Sequence, residues 1–141
     1  EAERLGVSHR VDLLGHVDET VKNLELAAGW VHLAPSVKEG WGLSVVEAAS
    51  HGTPTVAYTH TGGLSESIVD GHTGALVDDL DAMVDTVDHL LASPAERERM
   101  GKAAKEHSAA FTWERTISAW ETMLRHVVRR DQPVAGTDDA D

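Results

Sequence analysis

The sequence predicts an α/β domain, an open parallel sheet with flanking helices, followed by further helices at the C-terminal end. Two observations predict it. Short runs of strand-type residues alternate with runs of helical length, which is the pattern of βαβ units. Glycine or proline closes several of these runs, so the boundaries are punctuated chemically.

In chain order, "RVDLLG" (Arg10 to Gly15) reads as a strand, and Asp18 to Gly29 as a helix with an acidic start and a glycine stop. "WVHLAP" (Trp30 to Pro35) reads as a strand ended by proline, followed by a helix from Gly42 to about His51. "PTVAYT" (Pro54 to Thr59) is the third expected strand, Gly62 to Gly71 a short helix, and "GALVD" (Gly74 to Asp78) the fourth strand. Three helices follow, over Leu80 to Ala92, Pro94 to about Ala110, and Thr112 to Arg129. Ser93 is placed to cap the second of them, with Pro94 at its first position and Glu96 in its first turn. The tail from Asp131 to Asp141 carries four Asp and little to bury, and it is expected to be disordered. The first nine residues read as the end of a helix, so the chain is expected to start inside a domain with at least one strand missing upstream.

Composition narrows the function classes. The 141 residues are 41% hydrophobic, ordinary for a globular protein with a core. Twenty-four acids against 12 Lys plus Arg give a formal charge of −12, which argues against nucleic-acid backbones and anionic membranes as partners. There is no cysteine for a disulfide or a thiolate metal site, and the nine histidines are scattered.

The chemistry concentrates in "KEGWGLSVVEAASHGTPTVAY", Lys38 to Tyr58. In open parallel sheets, ligands lie beyond the carboxyl ends of the strands. The loop Ser36 to Trp41 follows an expected strand and leads into a helix opened by Gly40-Trp41-Gly42. Glycine there permits positive φ and close approach of backbone to ligand. The N–H groups of Gly42, Leu43 and Ser44 would be unpaired first-turn donors, a phosphate or diphosphate site backed by the helix dipole.

Two acids flank that turn. Glu47 stands on the apolar helix about five residues in, roughly 7 Å from the anion site. A carboxylate there suits a pair of ribose hydroxyls. Glu39 lies on the other side of the turn. One acid on each side of a diphosphate describes a nucleotide-sugar. The plainer alternatives are that Glu47 reaches solvent at the helix edge and that Glu39 is an ordinary loop acid. Lys38 reads, by position, as a solvated loop lysine.

The run from Pro35 to Val77 resembles the C-terminal, donor-binding domain of the retaining family-4 (group 1) glycosyltransferases, which have the GT-B fold. The motif E-x7-E is matched by Glu39 and Glu47. Ala48-Ala49, Gly52-Thr53-Pro54, Gly62-Gly63, Glu66 and Asp70-Gly71-x-x-Gly74 follow in the family's order. The resemblance covers about Arg10 to Arg129. It implies a Rossmann-like sheet, the C-terminal half of a GT-B enzyme without its first strand or strands. It further implies a donor-binding domain over 1–130, incomplete at its N-terminal side.

By the same resemblance, Glu39, the candidate catalytic residue, would contact hydroxyls of the donor hexose, and Glu47 would contact the ribose hydroxyls. The backbone of Gly40, Trp41, Gly42, Leu43 and Ser44 would hold sugar and diphosphate. Gly15-His16-Val17 would meet the base, and Gly62-Gly63 would open a second helix near the same edge. The reaction implied is transfer of a hexose from a UDP- or GDP-linked sugar to an acceptor hydroxyl with retention, with no metal and no other cofactor. The family's Gly-Arg pair and Lys that clamp the leaving diphosphate have no match here, so the chain alone is expected to be inactive. An N-terminal acceptor domain of the same parent chain is the implied partner. The implied location is the cytoplasm, or the inner membrane face for the full-length protein. The competing readings are a GT-B epimerase or hydrolase, and a non-catalytic flavodoxin-like binding module.

Two helical features complete the reading. Trp113, Ile117, Trp120, Leu124 and Val127 form one stripe of the last helix. Part of it is expected to pack on the domain's own sheet and part to be exposed. Glu96 to His107 reads as a solvated face carrying i,i+3 and i,i+4 ion pairs.

Overall fold

The computed structural model describes residues 1–130, so the expected disordered tail, 131–141, lies outside the described residues. Helix α1 (Glu19–Ala28) precedes strand β1 (His32–Ala34), and α2 (Leu43–Ser50) leads to β2 (Thr55–Tyr58). A single turn, α3 (Leu64–Ser67), leads to β3 (Gly74–Val77), and α4 (Leu80–Ala92), α5 (Pro94–Ser108) and α6 (Trp113–Arg130) follow. The strands form a parallel sheet in the order β1-β2-β3, with Ala34 opposite Ala57 and Ala57 opposite Leu76.

The side chains of β2 alternate between two apolar layers. Ala57 joins Ala34, Val45, Leu64 and Ile68 in the layer that α2 and α3 share with the sheet. Val56 joins Val77, Met83, Leu90 and Met100 in the layer of α4 and α5. Local chemistry sets the helix starts: Asp18 accepts from Val21 N–H, and Asp79 accepts from Ala82 N–H. Ser93 occupies the capping position of α5, but its side chain makes no capping hydrogen bond.

Several motif residues hold the scaffold. Thr53 Oγ1 donates to the carbonyls of Leu26 and Gly29, tying the end of α1 to the entry of β2. A Cβ at Gly74 would lie 2.3 Å from Thr55 O, and Asp70 Oδ1 accepts from Leu76 N–H. The Asp-Gly-x-x-Gly run therefore closes the turn into β3 and lets that strand lie close against β2. A Cβ at Gly101 would lie 2.0 Å from Gly52 O, so a backbone-to-backbone approach sets the spacing of α5 on the end of α2.

Four expectations are corrected. Arg10 to Gly15 is not a strand: Ser8–Arg10 forms a 3-10 turn, and the residues after it pair with no strand. Leu13 there is 92% exposed. A strand is held by its ladder, and no described residue supplies one to this segment. The sheet accordingly has three strands, not four.

The helix expected over Gly62 to Gly71 ends after one turn. Ile68 turns extended (φ −120°, ψ 125°) with its side chain in the core, and Val69 N–H donates to Thr73 Oγ1 instead of continuing the helix.

The segment Glu96 to His107 is not simply a solvated face. Met100, Gly101, Ala103 and Ala104 are buried, α5 packs along α2, and of the expected ion pairs the Glu96–Arg99 contact at 3.8 Å is formed.

The stripe on α6 does not pack on the sheet. Every side chain from Trp113 to Val128 is exposed, so the expected core share is absent and the expected exposure extends to all five stripe residues.

Candidate functional site

The site is built where β1 and β2 give way to loops at their carboxyl ends. The first loop, after β1, is stitched to the second, after β2. Glu39 N–H donates to Thr61 O at 2.9 Å, and Glu39 and Gly62 form a parallel bridge beyond the strands proper. This contact needs glycine: a Cβ at Gly63 would lie 1.6 Å from Gly40 O, and one at Gly62, where φ is +93°, would lie 3.0 Å from Glu39 O. Gly62 and Gly63 thus sit at the same edge as the Gly40–Gly42 turn and lock it in place.

Gly42 caps α2 in the left-handed region, with φ +77° and ψ 66°. Any other residue there would be strained, and its Cβ would meet Leu64 Cδ2 at 2.3 Å. Val45 and Val46 N–H both donate to Gly42 O, whereas the N–H groups of Gly42, Leu43 and Ser44 have no protein acceptor among the described residues. Three free donors at one helix start are the arrangement the sequence predicts. Gly40 differs from Gly42: its φ is not positive, and a Cβ there would meet nothing within 4 Å. Trp41 lies edge-on to Phe111, ring centroids 4.8 Å apart at 81°.

The two acids differ in setting. Glu39 is exposed, its backbone pinned by Thr61. Glu47 is not buried in the core: its side chain is 44% exposed, and Oε1 accepts from Lys22 Nζ on α1 at 3.0 Å. Lys22 also reaches Glu19 at 2.9 Å, and the pairs with Glu19 and then Glu47 hold its ammonium pKa above the ordinary lysine value. Glu47 also lies within the field of His32, half-buried at the start of β1 and hydrogen-bonded to Thr55 Oγ1 at 3.1 Å. Burial lowers the His32 pKa, and the Glu47 charge partly opposes that.

The loop Gly15-His16-Val17 reaches this end of the sheet through α1. Lys22 touches Glu47, Asn23 touches His51, and Leu26 O accepts from Thr53, so α1 and α2 run side by side in the same direction. Their N-terminal ends, and the loops before them, share one edge. Gly15 there has φ +66°, and His16 is exposed. No hydrogen bond joins this loop to the Gly40–Gly42 turn among the described residues.

Sequence reading missed Lys22, Thr61 and Phe111. Lys22 carried a faint signal, three residues after Glu19 on one helix. Phe111, the one phenylalanine of the chain, stands apart from any helical stripe, and nothing local marks its contact with a residue seventy positions earlier.

Comparison with known proteins agrees with this fold. Residues 1–107 match the family model of glycosyl transferases group 1. The chain is 39% identical over 145 aligned residues to a D-inositol 3-phosphate glycosyltransferase of Corynebacterium diphtheriae, covering 96% of this chain and 34% of that protein. It thus spans about a third of the length of that curated relative. Among solved structures, sucrose-phosphate synthase from Thermosynechococcus elongatus superposes with a TM-score of 0.83 at 28% identity, over 92% of this chain and 33% of that one. A mutant of S. aureus TarM, solved in complex with fondaparinux, alpha-GlcNAc-glycerol and UDP, superposes with a TM-score of 0.77 at 25% identity, over 86% of this chain and 25% of that one.

Proposed function

This chain belongs to the group 1 glycosyl transferases, and on that premise we propose that it is the donor-binding part of a retaining enzyme that moves a hexose from a nucleotide-diphosphate sugar to an acceptor hydroxyl. The observation that carries the reading is the helix start at Gly42, with three unpaired N–H groups and a carboxylate on each side.

In this reading the N–H groups of Gly42, Leu43 and Ser44 take the diphosphate, supported by the dipole of α2. Their contribution grows as the glycosidic bond breaks and charge collects on the leaving diphosphate, so they lower the barrier as well as bind. Glu39 accepts from hydroxyls of the hexose and orients its anomeric carbon. Glu47 accepts from the ribose hydroxyls through the oxygen that Lys22 does not engage. Lys22 meanwhile engages the other oxygen of the same carboxylate at 3.0 Å. Gly15, His16 and Val17 bound the base, and Gly62 and Gly63 keep the turn at contact distance. No metal is required by this scheme.

The chain spans about a third of its curated relative, so acceptor binding and turnover are assigned to the whole protein, with an acceptor domain as the partner of this one. The donor places the reaction in the cytoplasm or at the inner membrane face. No described helix is long and apolar enough to cross a membrane.

Product analysis tests the reaction class. A protein carrying this segment is incubated with UDP- or GDP-hexoses and a panel of hydroxyl acceptors, D-inositol 3-phosphate first because the curated relative is named for it. A glycoside with the donor's anomeric configuration is the expected product. Free hexose would support the hydrolase instead, an epimerised nucleotide-sugar the epimerase, and an inverted glycoside would overturn retention.

A further inference from the structure

The contact between Trp41 and Phe111 joins the site to the far end of the chain. We propose that Phe111, at the junction of α5 and α6, is a positioning residue that holds the Gly40–Gly42 turn in its ligand-ready geometry through the Trp41 ring.

The route is continuous in the structure. Gly101 on α5 lies against Gly52 at the end of α2, and Phe111 lies against Trp41 just before its start, so α5 runs antiparallel along α2. That path delivers Phe111 to the turn. Phe111 N–H donates to Ser108 O, which fixes the ring at the end of α5, and His107 packs edge-on against it, centroids 5.1 Å apart at 84°. His107 Nε2 is enclosed with no hydrogen-bond partner among the described residues, so the imidazole serves here as a packing surface.

The loop after β2 locks the Gly40 side of the turn through backbone contact, and beyond that the turn has little to orient it. Gly40 and Gly42 bring no side chains, α2 has no side-chain cap, and the free N–H groups bond to nothing among the described residues. Trp41 is the one large side chain among these three residues. Beside it lies a cavity of about 430 Å³ lined by Trp41, Leu43, Val46, Phe111 and Trp113. Without the Phe111 ring, the indole has room to swing into that space and carry the backbone of its glycine neighbours with it.

The inference rests on the donor-site reading for its functional meaning, but its first readout needs no ligand. In Phe111→Ala, amide exchange at Glu39 and Val45, whose N–H groups bond to Thr61 O and Gly42 O, should rise at least ten-fold. Exchange at Val56 and Leu90 in the core should stay within two-fold, and the Trp41 indole signals should lose the ring-current shift imposed by Phe111. Phe111→Tyr, which keeps the ring, should restore all three. Phe111→Leu replaces the alanine variant if that one does not fold. Unchanged exchange at Glu39 and Val45, or an equal rise at Val56 and Leu90, would overturn the proposal. In the second readout, UDP affinity should fall five- to ten-fold in Phe111→Ala and recover in Phe111→Tyr. A loosened turn with unaltered UDP affinity would overturn the positioning role. A wild-type chain that binds no nucleotide would instead refute the donor-site reading, leaving the exchange result to judge the contact.

Discussion

Lys22 Nζ lies 3.0 Å from Glu47 Oε1, so the acid at the centre of α2 is held by a cation from the neighbouring helix. This explains how an acid is accommodated on a helix with an apolar face. The carboxylate is neither buried alone nor fully solvated, and Lys22 engages only one of its oxygens. The pair is too exposed to contribute much to stability, roughly 1 kcal/mol or less. Its importance is directional.

Glu47→Ala should therefore separate binding from folding. Hydrogen bonds to a charged group contribute about 1.5–3 kcal/mol, so loss of the ribose contact should weaken nucleotide-sugar affinity at least ten-fold. Urea denaturation should show a stability change below about 1 kcal/mol. Calorimetric titration beside denaturation measures both, and equal affinity in the variant would leave Glu47 as a structural partner of Lys22.

Gly63→Ala and Gly40→Ala should behave oppositely in stability. The first forces a Cβ to 1.6 Å from a backbone carbonyl that cannot move without parting the two loops. A cost of about 3 kcal/mol is expected. The second meets nothing within 4 Å and has no positive φ to strain. It should change stability by less than about 0.5 kcal/mol, yet weaken donor binding if the sugar lies against that backbone. Denaturation curves and UDP-hexose titrations on both variants check this.

His32 makes the fold acid-sensitive. Its folded-state pKa lies below the ordinary imidazole value, chiefly through burial, with Glu47 opposing. As pH falls through about 6.5 the unfolded chain takes up the proton first. The contribution of His32 is thus complete above that pH and is lost progressively down to the lowered folded value. Denaturation from pH 8 to pH 5 should show a slope that His32→Asn reduces. Glu47→Ala should extend the slope to lower pH, because it removes the charge that favours the imidazolium.

Trp120→Ala should leave stability within about 0.5 kcal/mol of wild type. The side chain is 57% exposed, and Trp113 at the start of the same stripe is 79% exposed. Both indoles should be open to acrylamide quenching in the dilute monomer. A loss of several kcal/mol would mean that α6 packs on this domain after all.

The sequence was most legible where local chemistry and periodicity agree. Asp18, Gly29 and Pro35 mark boundaries that the structure keeps within a residue or two, and α4 runs from Leu80 to Ala92 as its pattern predicts. The Gly40–Gly42 turn was legible because glycine at such spacing has few other uses. Misreadings arose where tertiary pairing overrides local preference. Val11 to Leu14 have strand chemistry but no ladder, and Val69 to Thr73 exchange a helix for a side-chain-closed turn. The Lys22 partner of Glu47 was not legible, since a residue 25 positions away on another helix leaves no periodic trace. Gly52 and Gly101 show the same limit: each is unremarkable locally, and only the crossing of α2 and α5 explains them together.

The central claim is that the start of α2 binds the diphosphate of a nucleotide-sugar. An NMR amide-shift titration of the chain with UDP-, GDP- and ADP-hexoses, wild type beside Glu47→Ala, tests it most directly. The account predicts that one nucleotide shifts Gly42, Leu43 and Ser44 together with His16, and that the effect weakens at least ten-fold in the variant. Shifts confined to other surfaces, or identical titrations in the two proteins, would contradict it.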